Sequence, residues 1–490
     1  MNSNALILPL TTIALFCTAR LVADEETAQT PAPPYEVVEL YAPGHFGNGY
    51  ECMGQYEMLD MLREAKFWGC TRYGDWFDML DCSDPFRKDV QWGLGRALWW
   101  AKKLNFRSAA KAGLQTDFVL TPNHVYIDQR HPPLLAEEGT RRGQRMFGQL
   151  ICPSKPEARR LILQNYERLF ADLARSGVRL NAMSAGPYDY GGCGCDKCHP
   201  WIITWSELTY EIYRIARQHH PNIEMTMIGW WWKPEEHKLF ADWVDKHHPG
   251  WLKAMFVHIP YGKTTIADVP LPKGCAKGAF VHIGYADSTS RGDIYGSLGP
   301  MVAPKRLQET LQGLKKQGVT HLMAYSEGPC DNVNKAIFAG LGAGKFKTAD
   351  EVLTAYAKRY FGTDDATSAQ WAEWLAAWGE SFDRDTTKAK SELVELLAKT
   401  PKRDSPRVRE WVLKTELFDI NRKIGVGDNW TPQRLELVEQ FFQTREKIHR
   451  GVWGLGPLRH IFARKYLRVP WFHGWAKHQA AEAGKLGADY

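Results

Sequence analysis

From about residue 36 the chain alternates short, continuously apolar runs with longer amphipathic ones. "YEVVELYAP" (35–43) reads as a strand, and "QYEMLDMLREAKFWG" (55–69) as a helix with Met58, Met61 and Leu62 on one face. "CTRYGDW" is a second strand, "VQWGLGRALWWAKKL" a Trp-rich helix, and "TDFVLTPN" (116–123) a third strand. After an irregular excursion comes "PEARRLILQNYERLFADLARSG", where Ile162, Tyr166, Leu169 and Leu173 form a stripe and Pro156 suits a first helical turn. "VRLNAMSAG", "IEMTMIGWWW", "KAMFVHIP", "GAFVHIGYAD" and "THLMAYSEG" follow as strands four to eight. Helices separate them except between six and seven, where only a Pro/Gly-rich loop stands.

Strands joined in this way need right-handed crossovers and give a parallel sheet. Eight of them, each rich in apolar residues, predict an α/β fold of the closed (β/α)8 TIM-barrel type rather than an open doubly wound sheet. An open sheet would carry a Gly-rich turn after its first strand, and Gly44, Gly47 and Gly49 do not match G-x-G-x-x-G. Past Lys347 the tracts "AQWAEWLAAWGESFD", "ELVELLAKT", "VREWVLKTELFDINRKIG" and "PQRLELVEQFFQTREKIHRGVWG" are all amphipathic. The predicted organisation is a barrel over 35–346 and a C-terminal helical domain over 347–490.

The first residues change the picture of where this barrel works. An apolar run from Ala5 to Cys17, too short to span a bilayer, ends among small residues with a cleavage point after Ala23. Residues 1–23 are read as a signal peptide and 24–34 as an acidic, Pro-rich linker, so the mature chain is expected in the periplasm or outside the cell, with no membrane association after cleavage. The formal charge of +6 is spread over 490 residues without a basic run, which argues against a nucleic-acid partner. Twenty tryptophans point toward sugars, whose apolar ring faces stack on flat aromatic side chains.

In a TIM barrel the reactive groups lie at the carboxyl ends of the strands. That rule nominates His45, Tyr50 and Glu51 after strand one, Asp75 and Asp78 after strand two, and Asn123 and His124 after strand three. It adds Tyr188, Asp189 and Tyr190, then Trp230, Trp231 and Trp232, then His258 and Tyr261, Tyr285 and Asp287, and finally Glu327, Asp331 and Asn332. Carboxylates among aromatic rings, without a Ser-His-Asp arrangement, suit glycoside hydrolysis. One carboxyl protonates the leaving oxygen and the other acts as nucleophile or as base toward water. Asp189 and Glu327 are the expected catalytic pair, with Asp287 as the rival. His45, Asp75, Tyr188, Tyr190, Trp230, Trp231, Trp232, Tyr285 and Asp287 are the expected substrate-binding residues. Strands four and eight oppose each other across the barrel, which favours the ~6.5–9.5 Å separation of an inverting pair.

"CGCDKC" sets Cys193, Cys195 and Cys198 just beyond Asp189. With Cys152 or His199 as fourth ligand they suit a structural zinc; export equally suits disulfide bracing, and both readings stand. A thioredoxin-type role would place C-x-x-C at a helix start in a much smaller fold. No cofactor is required for the expected chemistry. "GLGAGKF" (340–346) falls one residue short of a phosphate loop and lacks its Ser or Thr.

"YDYGGCGCDKCHPW", "ELTYEIYRIARQHHPNIEMT" and "YSEGPCDNVNKAIFAGL" with "TADEVLTAYAKRYFG" resemble a group of exported bacterial glycoside-hydrolase-like (β/α)8 barrels, distantly similar to hexosaminidase and α-glucuronidase barrels. The resemblance spans about residues 145 to 362. It implies a polysaccharide-degrading role with Asp189 in the acidic position. Hexosaminidases proper carry an Asp-Glu pair after strand four, whereas Tyr190 follows Asp189 here, so substrate-assisted cleavage is not implied. The expected function is therefore an exported glycoside hydrolase acting on a carbohydrate substrate. The alternatives are a non-catalytic glycan-binding protein on a degenerate barrel, and metal-dependent chemistry at the cysteines.

Overall fold

The computed structural model describes residues 33–42, 50, 53–89, 93–137, 150–188, 191–260, 262–283, 302–326, 331–380, 384–454, 469 and 471–485. Eight strands form a closed barrel in chain order: β1 (Val37–Ala42), β2 (Arg72–Trp76), β3 (Gln115–Leu120), β4 (Ala182–Ala185), β5 (Glu224–Gly229), β6 (Ala254–His258), β7 (Ala276–His282) and β8 (His321–Tyr325). Every pairing is parallel, including β8 back onto β1. The expected TIM barrel is what the chain forms. Strand three ends at Leu120, earlier than the apolar run predicts, because Pro122 brings no N–H to a ladder.

The helices around the barrel are α1 (Gln55–Trp68), α2 (Leu94–Lys111), α3 (Pro156–Arg175), α4 (Trp201–His219), α5 (Pro234–His247), α6 (Pro304–Lys316) and α7 (Asn332–Gly342). No helix occurs among the described residues between β6 and β7, as the sequence predicts. Beyond them lie α8 (Ala349–Phe361), α9 (Asp365–Glu380), α10 (Thr386–Ala398), α11 (Pro406–Ile424), α12 (Pro432–Glu446) and α13 (Phe472–Lys485). No described helix is long and apolar enough to cross a membrane.

Alternation along each strand sorts the side chains into two layers. Tyr41, Trp76, Val119, Ile228, Phe256, Phe280, Met323 and Tyr325 fill the barrel interior as one cluster. Their neighbours Leu40, Val257, Val281 and Ala324 face the helices, as do Phe118, Leu120, Met183 and Met225. The amino-terminal end of the interior is polar and fully buried: Glu39, Arg72, Asp117, Ser184 and Thr226. Asp117 accepts the Ser184 hydroxyl, which also contacts Thr226 Oγ1. A Cβ on Gly74 would run into Glu39 Oε1, so the crowded charge layer demands glycine there.

Residues 33–490 form one compact unit. The expected division at residue 346 is not a break in packing. Val38, Leu62 and Leu322 of the barrel share a core with Tyr356, Trp371, Trp374 and Trp411 of the later helices.

Candidate functional site

The segments after β4 and β5 carry unusual backbone among the described residues. Tyr188 (φ 49°) and Trp231 (φ 56°) are the non-glycine residues with positive φ among those described. Bulky residues in the left-handed region cost roughly 1–3 kcal/mol each, and such strain clusters at binding sites. At Tyr188 the cost is offset by ring packing. Its ring lies parallel to Trp230, with centroids 5.6 Å apart and planes within 6°, and against Trp76 at 4.9 Å. Trp231 stands edge-on to Trp230 at 5.8 Å and is 44% exposed. A cavity enclosed by Tyr41, Trp76, Thr121, Gly186, Tyr188, Trp230 and Phe280 opens on this platform.

Two histidines complete the described wall. His258 packs on Trp230 at 4.2 Å and on Trp231 at 4.8 Å. His282 lies 5.6 Å from His258 and 5.1 Å from Tyr325. Burial, then the neighbouring His258, holds the His282 imidazole neutral, with its pKa well below the ordinary range. His258 is nominated by its place at the end of strand six. His282 is missed, because "AFVHI" reads as an apolar strand and only the inward parity shared with Phe280 marks it.

The expected site residues fall into three groups. Tyr188, Trp230 and Trp231 are brought together at the mouth. Asp75 and Trp232 are not. Asp75 lies between the inward Gly74 and Trp76 and therefore points out toward α2, where it pairs with Lys102 and accepts from Tyr73 Oη (2.9 Å) and Asn105 Nδ2 (3.1 Å). Trp232, past the Trp231 turn, packs in the outer layer on His237 (5.3 Å) and Phe240 (5.1 Å). His45, Asp189, Tyr190, Tyr285, Asp287 and Glu327 lie outside the described residues. Their described chain neighbours are Tyr188, which precedes Asp189 in sequence, and Ser326, which precedes Glu327. Ser326 is held by its N–H to Tyr41 O (3.2 Å) and by Tyr50 Oη at 2.6 Å.

The cysteines gather behind this loop. Cys152, Cys193, Cys195 and Cys198 place their Sγ atoms within 4.8 Å of one another. Cys152 Sγ lies 3.8 Å from Cys195 Sγ and 3.7 Å from Cys198 Sγ. A tetrahedral zinc with Zn–S bonds of ~2.3 Å spaces its sulfurs about 3.8 Å apart. The group thus fits a four-thiolate metal site with no open position. Cys152 rather than His199 is the fourth member. Hydrogen bonds from Cys193 and Cys198 lower the pKa of the Cys152 thiol, which favours the thiolate a cation needs. All four are free thiols in this structure.

No family model matches the sequence, and no curated protein matches it. Solved structures match only distantly. The galactosidase domain of the α-galactosidase-sucrose kinase AgaSK has a TM-score of 0.38 at 10% identity, covering 63% of this chain and 40% of that one. CpGH84B has 0.40 at 11%, covering 89% and 77%. The pneumococcal virulence factor StrH has 0.38 at 9%, covering 70% and 96%. The chain thus spans about two fifths of the AgaSK domain structure. At these scores the likenesses carry no weight for the chemistry at this chain's mouth, and the barrel rests on its own eight closed strands.

Proposed function

We propose that this protein is an exported glycoside hydrolase in which Asp189 and Glu327 cleave a glycosidic bond above the carboxyl end of the barrel. The observation that carries the reading is the strained mouth: Trp231, in the left-handed region and 44% exposed, stands edge-on to the buried Tyr188–Trp230 stack, and Asp189 is the next residue after Tyr188. An exposed flat ring such as Trp231 receives the apolar face of a pyranose, and a carboxyl near it meets the glycosidic oxygen. In this reading one carboxyl gives its proton to the leaving oxygen. The other activates water from the opposite side, and His258 and the neutral His282 line the sugar's edge. The chemistry requires no cofactor. Zinc, held by Cys152, Cys193, Cys195 and Cys198, would serve only to fix the loop that follows Asp189.

The test is hydrolysis of a panel of neutral and anionic glycans by the mature chain, followed on the responsive substrate with Asp189→Asn and Glu327→Gln. Each variant should lower kcat at least ~100-fold, the scale of general acid–base catalysis, with unchanged circular dichroism. Full activity in both folded variants would refute the assignment.

A further inference from the structure

A second cavity, of about 220 Å³, shares no lining residue with the one at the mouth and lies where the later helices pack on the barrel. Its walls come from α1, α7, α8 and the start of α11. Val452 and Trp453 close it, at the end of a π-helical turn (Lys447–Val452) that continues α12. Turns of that kind are frequent at functional sites. The surface is chiefly apolar, from side chains such as Met53, Met61, Ala65, Trp68 and Tyr356. Pockets for drug-sized ligands measure roughly 300–1,000 Å³, so this one suits a molecule of a single ring.

Most polar groups on these walls are spent on one another or on their neighbours. Asn332 Nδ2 donates to Tyr356 Oη at 2.8 Å, and Tyr360 Oη accepts from Trp68 Nε1 at 3.0 Å. Glu64 pairs with Arg359 at 2.8 Å, Asp60 with Arg63 at 3.2 Å, and Lys335 with Asp331. Arg407 is different. Its guanidinium lies over the rings of Tyr360 and Trp453, 4.9 and 4.4 Å from their centroids. Glu410 approaches it only at 3.9 Å and is already bonded to Lys414 at 2.6 Å. Arg407 Nη1 and Trp453 Nε1 are both buried, and neither has a hydrogen-bond partner among the described residues. Two neighbouring buried donors of this kind are destabilising unless an oxygen from a ligand meets them.

We propose that this cavity binds a small monocarboxylate with an apolar ring, of the aromatic-acid class, its carboxylate on Arg407 and its ring against the wall of Met61, Trp68 and Tyr356. An acceptor-only group answers two donors, and a carboxylate matches the planar guanidinium fork. Arg407 is also the second residue of α11, whose positive dipole end adds to the attraction. Glu57, Asp60 and Glu64 keep the α1 wall acidic, which limits the ligand to one negative charge. A sugar would bring several hydroxyl groups to walls whose polar atoms are largely bonded already. The site is separate from the mouth, and its test needs no hydrolysis, so it stands or falls apart from the glycosidase reading.

The test is calorimetric titration of the mature full-length chain with benzoate, its neutral isostere benzamide, and glucuronate. Benzoate should bind one to one with a Kd of about 1 mM or lower, and benzamide and glucuronate about tenfold or more weakly than benzoate. Arg407→Gln should weaken benzoate binding by about tenfold or more, and Met61→Trp, which fills the cavity from the α1 side, should abolish it. Benzoate should also raise the melting temperature of the wild type but not of Arg407→Gln, since the bound molecule touches the barrel and the later helices at once. Should Arg407→Gln fail to fold, the benzoate–benzamide comparison on the wild type and the Met61→Trp titration decide. The proposal is overturned if benzoate shows no saturable binding, if benzamide binds equally well, if glucuronate binds more tightly, or if both variants bind benzoate like wild type.

Discussion

Glu39 and Asp117 share the amino-terminal end of the barrel with no exposed surface, and Arg72 is the cation beside them. Burial raises the Glu39 pKa well above the usual carboxylate range, and repulsion from Asp117 raises it further against the pull of Arg72. Burial raises Asp117 as well, so of this buried carboxyl pair Glu39, which Asp117 also repels, is pushed further toward its neutral form. A raised folded pKa means that the group's stabilisation is complete below its unfolded value of ~4.3 and is lost as pH rises through the folded value. Glu39→Gln retains a donor and removes the titration. Its melting temperature should therefore gain on wild type, by on the order of 2 °C or more, between pH 5 and pH 9; parallel pH profiles would contradict the assignment. At the mouth the backbone supplies a different test. Trp231→Gly relieves a left-handed tryptophan whose ring is half in solvent, so melting should hold or rise slightly. Under the proposed function, affinity for a sugar that the protein cleaves should drop about tenfold if that ring is kept for stacking. An unchanged affinity would leave the strain without a function.

At the scale of elements, the strands and helices were legible because their signals are local: apolar runs bounded by Gly and Pro, and stripes at helical spacing. The platform was legible for the same reason, since Tyr188, Trp230 and Trp231 follow directly on strand ends. What escaped depended on parity and on distant pairing. A one-residue step at Gly74–Asp75 turns a carboxylate from the mouth to the helix layer, and no composition signal records it. The bridge between Leu135 and Ile151 lies inside an excursion without periodicity, yet it sets Cys152 beside the loop after β4. Cys198 ends a short helical turn just before α4, so the four sulfurs join two segments that Ser154 also ties together through Lys197 O at 3.1 Å. Protein purified without chelator should carry about one equivalent of zinc by elemental analysis. Its removal, or Cys195→Ser, should lower the melting temperature by several degrees. Metal-free protein with intact thiols and full stability would exclude the metal in favour of plain packing.

The whole molecule raises the question of whether the barrel can stand without the helices that follow it. The change in hydrophobic pattern near residue 346 suggests an independent module, but the contacts cross that point continuously. Trp68 of α1 stacks on Tyr356 of α8 with centroids 6.2 Å apart and donates its indole N–H to Tyr360 Oη at 3.0 Å. Asn332, the first residue of α7 and thus close behind β8, donates to Tyr356 Oη at 2.8 Å and to the buried Glu410 at 3.2 Å. Glu410 in turn pairs with the buried Lys414 at 2.6 Å within α11. Removing residues 347–490 would expose the apolar faces of α1, α6 and α7 together and strand a buried amide at the foot of the strand-eight loop. Deleting one partner of such a buried network costs several kcal/mol, a large part of a domain's net stability of ~5–15 kcal/mol. The fragment 33–346 should therefore bind a hydrophobic dye and melt without a cooperative transition, whereas 33–490 melts cooperatively. A milder cut tests the same seam: Asn332→Ala in the full chain should lower the melting temperature, and Trp68→Ala should lower it more, because it empties an aromatic contact in the shared core. A fragment 33–346 that unfolds in one cooperative step would show that the pattern change near residue 346 marks a true domain boundary after all.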